Sequence, residues 1–415
     1  MEQQVAMAAV KVLLSLCCVG ACGLAMNLYY ILWLVPQRVL AEFRMQGISG
    51  PPPSFPYGNL ADMREAVATA KAARASARRR PGGGGIVHDY RPAVLPYYEK
   101  WRKEHGPIFT YSMGNVVFLH VSRPDVVRDI NLCVSLDLGK SSYLKATHEP
   151  LFGGGILKSN GEAWLHQRKI IAPEFFLDKV KGMVDLMVDS AKPLLKSWEE
   201  RVDRNGGITD IKIDDDIRAY SADVISRTCF GSSYIEGKEI FMKIRELQQA
   251  VSKPNVLAEM TGLRIREHSC HSCLVSNAPW TAPRMAGPGA FVSRQALQDL
   301  KLGGVHIPKG VNIYIPVSTM HLDPKLWGTD AKEFNPERFF DVRPQLHSYL
   351  PFGAGARTCL GQGFAMAELK ILISLIISKF VLKLSPQYEH SPTLKLIVEP
   401  ELGVDLTLTK VQCLY

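Results

Sequence analysis

Residues 350 to 367, Leu-Pro-Phe-Gly-Ala-Gly-Ala-Arg-Thr-Cys-Leu-Gly-Gln-Gly-Phe-Ala-Met-Ala, constrain this chain more than any other stretch. Gly353, Gly355 and Gly361 let the backbone turn tightly and approach something flat and bulky. Among them sits Cys359, just ahead of an apolar run from Phe364 to Leu384 that reads as a helix. A sulfur placed there meets the positive end of the helix dipole. Backbone N–H groups around it can point at the sulfur and tune it. A cysteine held in this way is suited to ligate a soft metal centre. A buried structural cysteine in a glycine-rich turn is the plainer reading of the same residues.

The order of residue types says more. Phe352-Gly-Ala-Gly-Ala-Arg357-Thr-Cys359-Leu-Gly361 follows the pattern F-x-x-G-x-R-x-C-x-G at every position. In this loop-then-helix context it resembles the cysteine loop of the cytochrome P-450 monooxygenases. The resemblance implies that Cys359 is the proximal ligand of haem iron. It implies that Arg357 pairs with a haem propionate and that Phe352 shields the sulfur. Gly353 and Gly361 then belong to the cofactor-binding turn.

Bulk properties agree with a large globular domain. The chain has 415 residues, 47% of them hydrophobic, and a net charge of +9. Much of the basic excess lies towards the N-terminus, which reads as membrane-proximal and not as a nucleic-acid footprint. The nine cysteines are scattered and odd in number, so they form no disulfide framework. A reduced compartment for the catalytic part fits them.

Val12 to Val35 is apolar except for Ser15 and Asn27, long enough to cross a bilayer as a helix. Tyr29, Tyr30 and Trp33 gather at its C-terminal end as an interfacial belt would, and Arg38 and Arg44 follow. This asymmetry places the bulk of the protein on the cytoplasmic side. A cleavable signal peptide competes, but the run is too long and no small-x-small site follows it. Ser49-Gly50-Pro51-Pro52-Pro53 breaks the helix and reads as a stiff spacer. Three parts result: an anchor over 1–48, a proline-rich hinge over 49–56 and a domain over 57–415. Ala66 to Arg80 reads as a solvated helix ended by Pro81 and glycines.

Within the domain, Tyr97 to Gly106 reads as a helix, Ile108 to Val121 as a hairpin turning near Gly114, and Pro124 to Ile130 as the start of another helix. Val180 to Arg201, Ile217 to Phe230 and Ile235 to Val251 are amphipathic. Leu302 to Gly310 and Val311 to Val317 read as a hairpin, and Leu394 to Leu408 as closing strands. The fold is therefore mainly α with a smaller β portion. Trp164 and Arg168 are four apart and share one helix face. In the family resembled, such a pair contacts haem propionates. Arg294, in Phe291-Val-Ser-Arg294, is similar to a strand arginine with the same role. His321-Leu-Asp323-Pro324 and Phe334-Asn-Pro336-Glu337-Arg338-Phe339 resemble the run that precedes the cysteine loop.

The pattern fails after Leu263. His268, Cys270, His271 and Cys273 invite a zinc reading, but no second pair at a workable spacing follows. Two family signatures are absent from the junction over 264–290: the distal helix A-G-x-[D/E]-T-[T/S] and the E-x-x-R that locks onto the arginine matching Arg338. Glu99-Lys-Trp-Arg102 fits E-x-x-R in the wrong place. The absent helices and their connections would need on the order of a hundred residues. The simplest account is a chain lacking an internal segment, with Arg338 left as an unpaired buried charge.

By resemblance, the activity is insertion of one oxygen atom from O2 into a lipophilic substrate, with electrons from NADPH through a membrane-bound NADPH-cytochrome reductase at the endoplasmic reticulum. Gly303-Gly-Val-His306-Ile-Pro-Lys-Gly310 and Leu247-Gln-Gln-Ala-Val-Ser-Lys-Pro-Asn255 look most like plant enzymes that oxidise gibberellins and related isoprenoids. Loss of the distal helix implies weak turnover. The competing reading is a non-catalytic membrane-bound remnant or splice product of such an enzyme.

Overall fold

The computed structural model describes residues 2–78, 88–147, 152–231, 243–244, 246–247, 290–341, 347–394 and 397–411. His268, Cys270, His271 and Cys273 lie outside the described residues. So do the 264–290 junction, apart from Ala290, and all but four residues of the helix expected over Ile235 to Val251.

Glu2–Tyr29 (α1) continues through a π turn at Tyr30–Leu34 into Val35–Met45 (α2). Lys11–Met45 is long and apolar enough to cross a membrane. Its two ends differ. Every residue from Lys11 to Ile31 is exposed. In α2, Pro36, Leu40 and Phe43 are buried, with Phe43 in the main core beside Leu119, Val121 and Val126. The proline-rich stretch is held against the domain. Ser49 O accepts the Thr110 N–H at 3.1 Å, and Pro52 O accepts from Asn59 Nδ2 at 3.1 Å.

The further helices that matter here are Leu60–Arg78 (α3), Pro96–His105 (α4), Pro124–Leu132 (α5), Gly161–Ile171 (α6), Val184–Arg204 (α7), Asp214–Phe230 (α8) and Gln362–Lys379 (α9). Charges favour the ends of α8: Asp214, Asp215 and Asp216 in its first turn, Arg227 in its last. The helix expected over Val180 to Arg201 is divided near Gly182 into a short turn, Leu177–Lys181, and α7.

The strands are Ile108–Met113 (β1), Val116–Val121 (β2), Leu138–Gly139 (β3), Ile208–Lys212 (β4), Val292–Ala296 (β5), Leu300–Leu302 (β6), Val305–Ile307 (β7), Asn312–Ile315 (β8), Phe380–Leu384 (β9), Pro392–Leu394 (β10), Val398–Pro400 (β11) and Asp405–Lys410 (β12). Five form one sheet in the order β1-β2-β8-β5-β3, in which only β2 and β8 run parallel. A second sheet has the order β4-β12-β9. It corrects one expectation, because the apolar run read as helix to Leu384 leaves the helix at Lys379. Leu384 pairs with Leu406 and Leu382 with Leu408. A continuous apolar run carries no period that separates helix from strand, and the ladder to β12 decides it.

Three cores result. One lies between the five-stranded sheet, α2 and α5. A second lies among α7, α8 and α9, centred on Trp198, Phe364, Leu372 and Phe380. The third is aromatic: Tyr98, Trp101, Phe109, Tyr111, Phe118 and Tyr314. The cysteine loop spans the first two. Leu350 and Ala354 pack in the sheet core, and Phe364 packs in the helical core.

Candidate functional site

The loop is built by its own backbone bonds. Gly353 N–H donates to Leu350 O at 3.1 Å, Thr358 N–H to Gly355 O at 3.0 Å, and Cys359 N–H to Phe352 O at 2.9 Å. A short 3-10 turn, Gly355–Arg357, brings the chain to Cys359, and Ala365 N–H bonds Gly361 O at 2.8 Å to open α9. Gly355 has φ +71, and a Cβ there would lie 1.7 Å from Asn131 O at the end of α5. The loop can press on α5 this closely only with glycine. Cys359 is a free cysteine and exposed, three residues ahead of α9.

Around it the structure gathers the basic residues singled out in the sequence. Trp164 is buried on α6, and the guanidinium carbon of Arg357 lies 4.0 Å from its ring centroid. That of Arg168, one turn further on, lies 5.6 Å away. Arg168 Nη1 donates to Thr358 O, next to Cys359, at 3.0 Å. Arg294 is buried on β5 and, among the described residues, donates only to its neighbour's carbonyl, Ser293 O, at 3.0 Å.

The sequence reading missed a fourth cation. Leu138 pairs with Ala296 and Gly139 with Gln295. One step further, that register sets Lys140 beside Arg294. Like charges directly opposite in a ladder repel. Desolvation, then Arg294, Arg357 and Arg168, push the Lys140 ammonium down to about 7, while Cys359 acts in the opposite sense. Burial, then Arg357, bring Arg294 down to about 10. Arg357 is lowered by burial and by Arg168. Arg168 is lowered by burial, with Cys359 opposing.

Among the described residues none of the four cations has a carboxylate partner, and Arg357 Nη1 and Nη2 are buried without an acceptor. A desolvated cation cluster of this kind is unfavourable until an anion enters it. A flat, metal-bearing group with two carboxylates fits: cations for the carboxylates and a sulfur for the metal. His166 is exposed on α6 and His321 is buried. Among the described residues there is no cluster of three or more His, Cys, Asp or Glu that could hold a metal ion.

One expectation is overturned. Arg338 is not an unpaired charge. Its Nη2 donates to Asp330 Oδ2 at 3.0 Å, Asp330 O at 2.6 Å and Glu333 O at 3.2 Å, and its Nε to Asn335 O at 3.2 Å. The loop before Arg338 curls round the guanidinium and supplies both a carboxylate and carbonyls.

The mainly helical fold with its smaller sheets and the cysteine loop define a haem protein of the P450 class. The sequence profile of the Cytochrome P450 family matches residues 85–261 and 284–408, and the chain belongs to that family. Its members bind haem iron and act as monooxygenases. Among relatives, the chain is 71% identical to Cytochrome P450 714B3 of Zea mays, over 99% of this chain and 98% of that one. It is 64% identical to Cytochrome P450 714B2 of Oryza sativa subsp. japonica, over 99% of each chain. It is 52% identical to Cytochrome P450 714B1 of the same rice, over 96% of each. The alignment to the maize protein runs over 516 positions, against the 415 residues of this chain.

Proposed function

We propose that this chain is a membrane-anchored haem-thiolate monooxygenase of plant type with weakened turnover. The observation that carries the reading is the set of four cations, without a carboxylate partner among the described residues, beside an exposed cysteine just ahead of α9. Cys359 would hold the iron. Arg168, Arg294, Arg357 and Lys140 would take the two carboxylates, with the Trp164 ring as their floor. Gly353, Gly355 and Gly361 would leave room for a flat group to approach the loop, and Phe352 fixes the Cys359 amide through its carbonyl. Bound there, haem supplies oxygen activation and insertion into a C–H bond. The residues hold the group, orient it and offset its charge.

Electrons would come from NADPH through a membrane reductase. The exposed apolar stretch Lys11 to Ile31 supports anchorage, here assigned to the endoplasmic reticulum with the domain cytoplasmic. The substrate is lipophilic, of isoprenoid or gibberellin-like class, a reading that rests on the resemblance of Gly303 to Gly310 and Leu247 to Asn255 to plant enzymes of that kind. Weak turnover is inferred from the two separate matches to the family and from an alignment longer than the chain. Both support a missing stretch near residues 262–283, and proton delivery and exclusion of water are the functions proposed to suffer from it.

The test expresses this chain beside a version with the missing segment restored, each with reductase and NADPH. NADPH use, peroxide and hydroxylated gibberellin-like product are measured. The expected result is product from the restored chain alone, with uncoupled peroxide from the short one. Coupled turnover by the short chain equal to the restored one would overturn the reading.

A further inference from the structure

His321 has a role that neither the cysteine-loop pattern nor the cation cluster assigns. It ends a buried helical turn, Val317–His321, and is 6% exposed. Its Nε2 accepts the backbone N–H of Leu350 at 2.8 Å. That amide opens the cysteine loop. Leu350 O accepts from Gly353 N–H, and Phe352 O from Cys359 N–H. Three hydrogen bonds thus lead from the imidazole to the backbone of Cys359.

Packing holds the ring on one side and a small cavity borders it on another. It lies against Tyr349, with centroids 5.0 Å apart. It lines a cavity of ≈ 20 Å³ with Trp327, Asn335, Arg338 and Tyr349, about the space of one water. Burial pushes the imidazole down to about 3, so it is neutral at working pH. With Nε2 accepting, the proton sits on Nδ1. Nδ1 has no partner among the described residues.

The segment that carries the ring is also clamped. Thr319 Oγ1 donates to Glu99 Oε1 at 2.9 Å, and Arg102 Nη1 to Asp323 Oδ2 at 3.2 Å. Trp327 Nε1 donates to Met320 O at 2.8 Å. Glu99 and Arg102 both lie on α4, so this helix holds the turn on either side of His321.

We propose that His321 is a positioning residue for Cys359: Nε2 holds the Leu350 amide and so sets where the loop presents the sulfur. The proposal rests on Cys359 being the haem ligand. A core histidine that merely filled space would be replaceable by a leucine of similar bulk. A positioning histidine is replaceable only by a side chain that returns an acceptor to the same place, as glutamine does with its Oε1.

The experiment compares His321→Leu and His321→Gln in the 415-residue chain. Two readouts use haem-free protein: amide hydrogen exchange at Leu350, and the alkylation rate of Cys359 followed by peptide mass. A third uses haem-loaded protein: the fraction of the reduced carbon-monoxide complex with the red-shifted Soret band of thiolate ligation. Leucine should speed exchange at Leu350 by about fivefold or more, as loss of one hydrogen bond does. It should change the Cys359 alkylation rate and lower the thiolate fraction. Glutamine should return all three towards the parent. Parent-like values in the leucine variant, or a glutamine variant no better than leucine, would overturn the proposal. If the leucine variant does not fold, glutamine decides alone. If the parent shows no thiolate band at all, the haem assignment fails, while the two haem-free readouts still decide whether His321 positions the loop.

Discussion

Alanine in place of Gly355 should damage the protein far more than alanine at either neighbouring loop glycine, and the structure gives the reasons separately. Gly361 has no left-handed φ, and a Cβ there meets only Phe175 Cε1, at 3.9 Å. Its replacement should shift stability by no more than about 0.5 kcal/mol. Gly353 has φ +71 but nothing within 4 Å of a Cβ. It isolates the cost of a left-handed non-glycine residue, about 1–2 kcal/mol. Gly355 combines φ +71 with a Cβ 1.7 Å from Asn131 O and 2.8 Å from Asn131 C. A backbone carbonyl cannot rotate away, so the loop or the end of α5 must move. Overpacking adds about 1–3 kcal/mol to the same strain. The total is roughly 2–5 kcal/mol. Denaturation midpoints of the three haem-free variants, read at unchanged slope, give the order. A chain of this size need not unfold in one step, so the order is the prediction and not the absolute free energies. A Gly355→Ala midpoint equal to that of Gly353→Ala would refute the claim that the loop is seated against α5.

Glu368 on α9 is 4% exposed, and burial raises its carboxyl from 4.5 to about 7, with a Ser221 hydrogen bond opposing. A raised acid favours folding below its unfolded value, so stability should fall as pH rises from about 4.5 to about 7. Glu368→Gln should flatten that slope in thermal melts across the window. Arg357→Leu should leave the haem-free chain as stable or up to about 1 kcal/mol more so, because it removes a half-buried cation whose enclosed Nη1 and Nη2 have no acceptor among the described residues. The same variant should lose haem at least about tenfold faster in transfer to apomyoglobin, as one charged hydrogen bond is removed. Lys140→Met should act in the same two directions, since it removes the like charge beside Arg294.

The parts of this molecule legible in the sequence are those in which neighbours in sequence are neighbours in space. The cysteine loop is ten residues whose partners lie mostly within it, so Phe352, Arg357 and Cys359 can be read at once. Trp164 and Arg168 are four apart, and helix geometry alone puts them on one face. Lys140 cannot be read in this way. It joins the cluster only because β3 pairs with β5 in one register, and that pairing crosses more than 150 residues. The bond from His321 to Leu350 crosses 29 residues between the end of a single helical turn and a loop. Arg338 misled for a related reason: its substitute acceptors are mostly backbone carbonyls, which no residue type announces. Phe380 to Leu384 misled because an apolar strand at the end of an apolar helix looks like more helix until β12 is in place.

The central claim is that Cys359, ringed by Arg168, Arg294, Arg357 and Lys140, is an iron-ligating cysteine. The reduced carbon-monoxide difference spectrum of the haem-reconstituted chain, measured beside Cys359→Ala, tests it most directly. The account predicts the red-shifted Soret band of thiolate ligation in the parent and its complete loss in the variant. The same band in both proteins, or in neither, would contradict it.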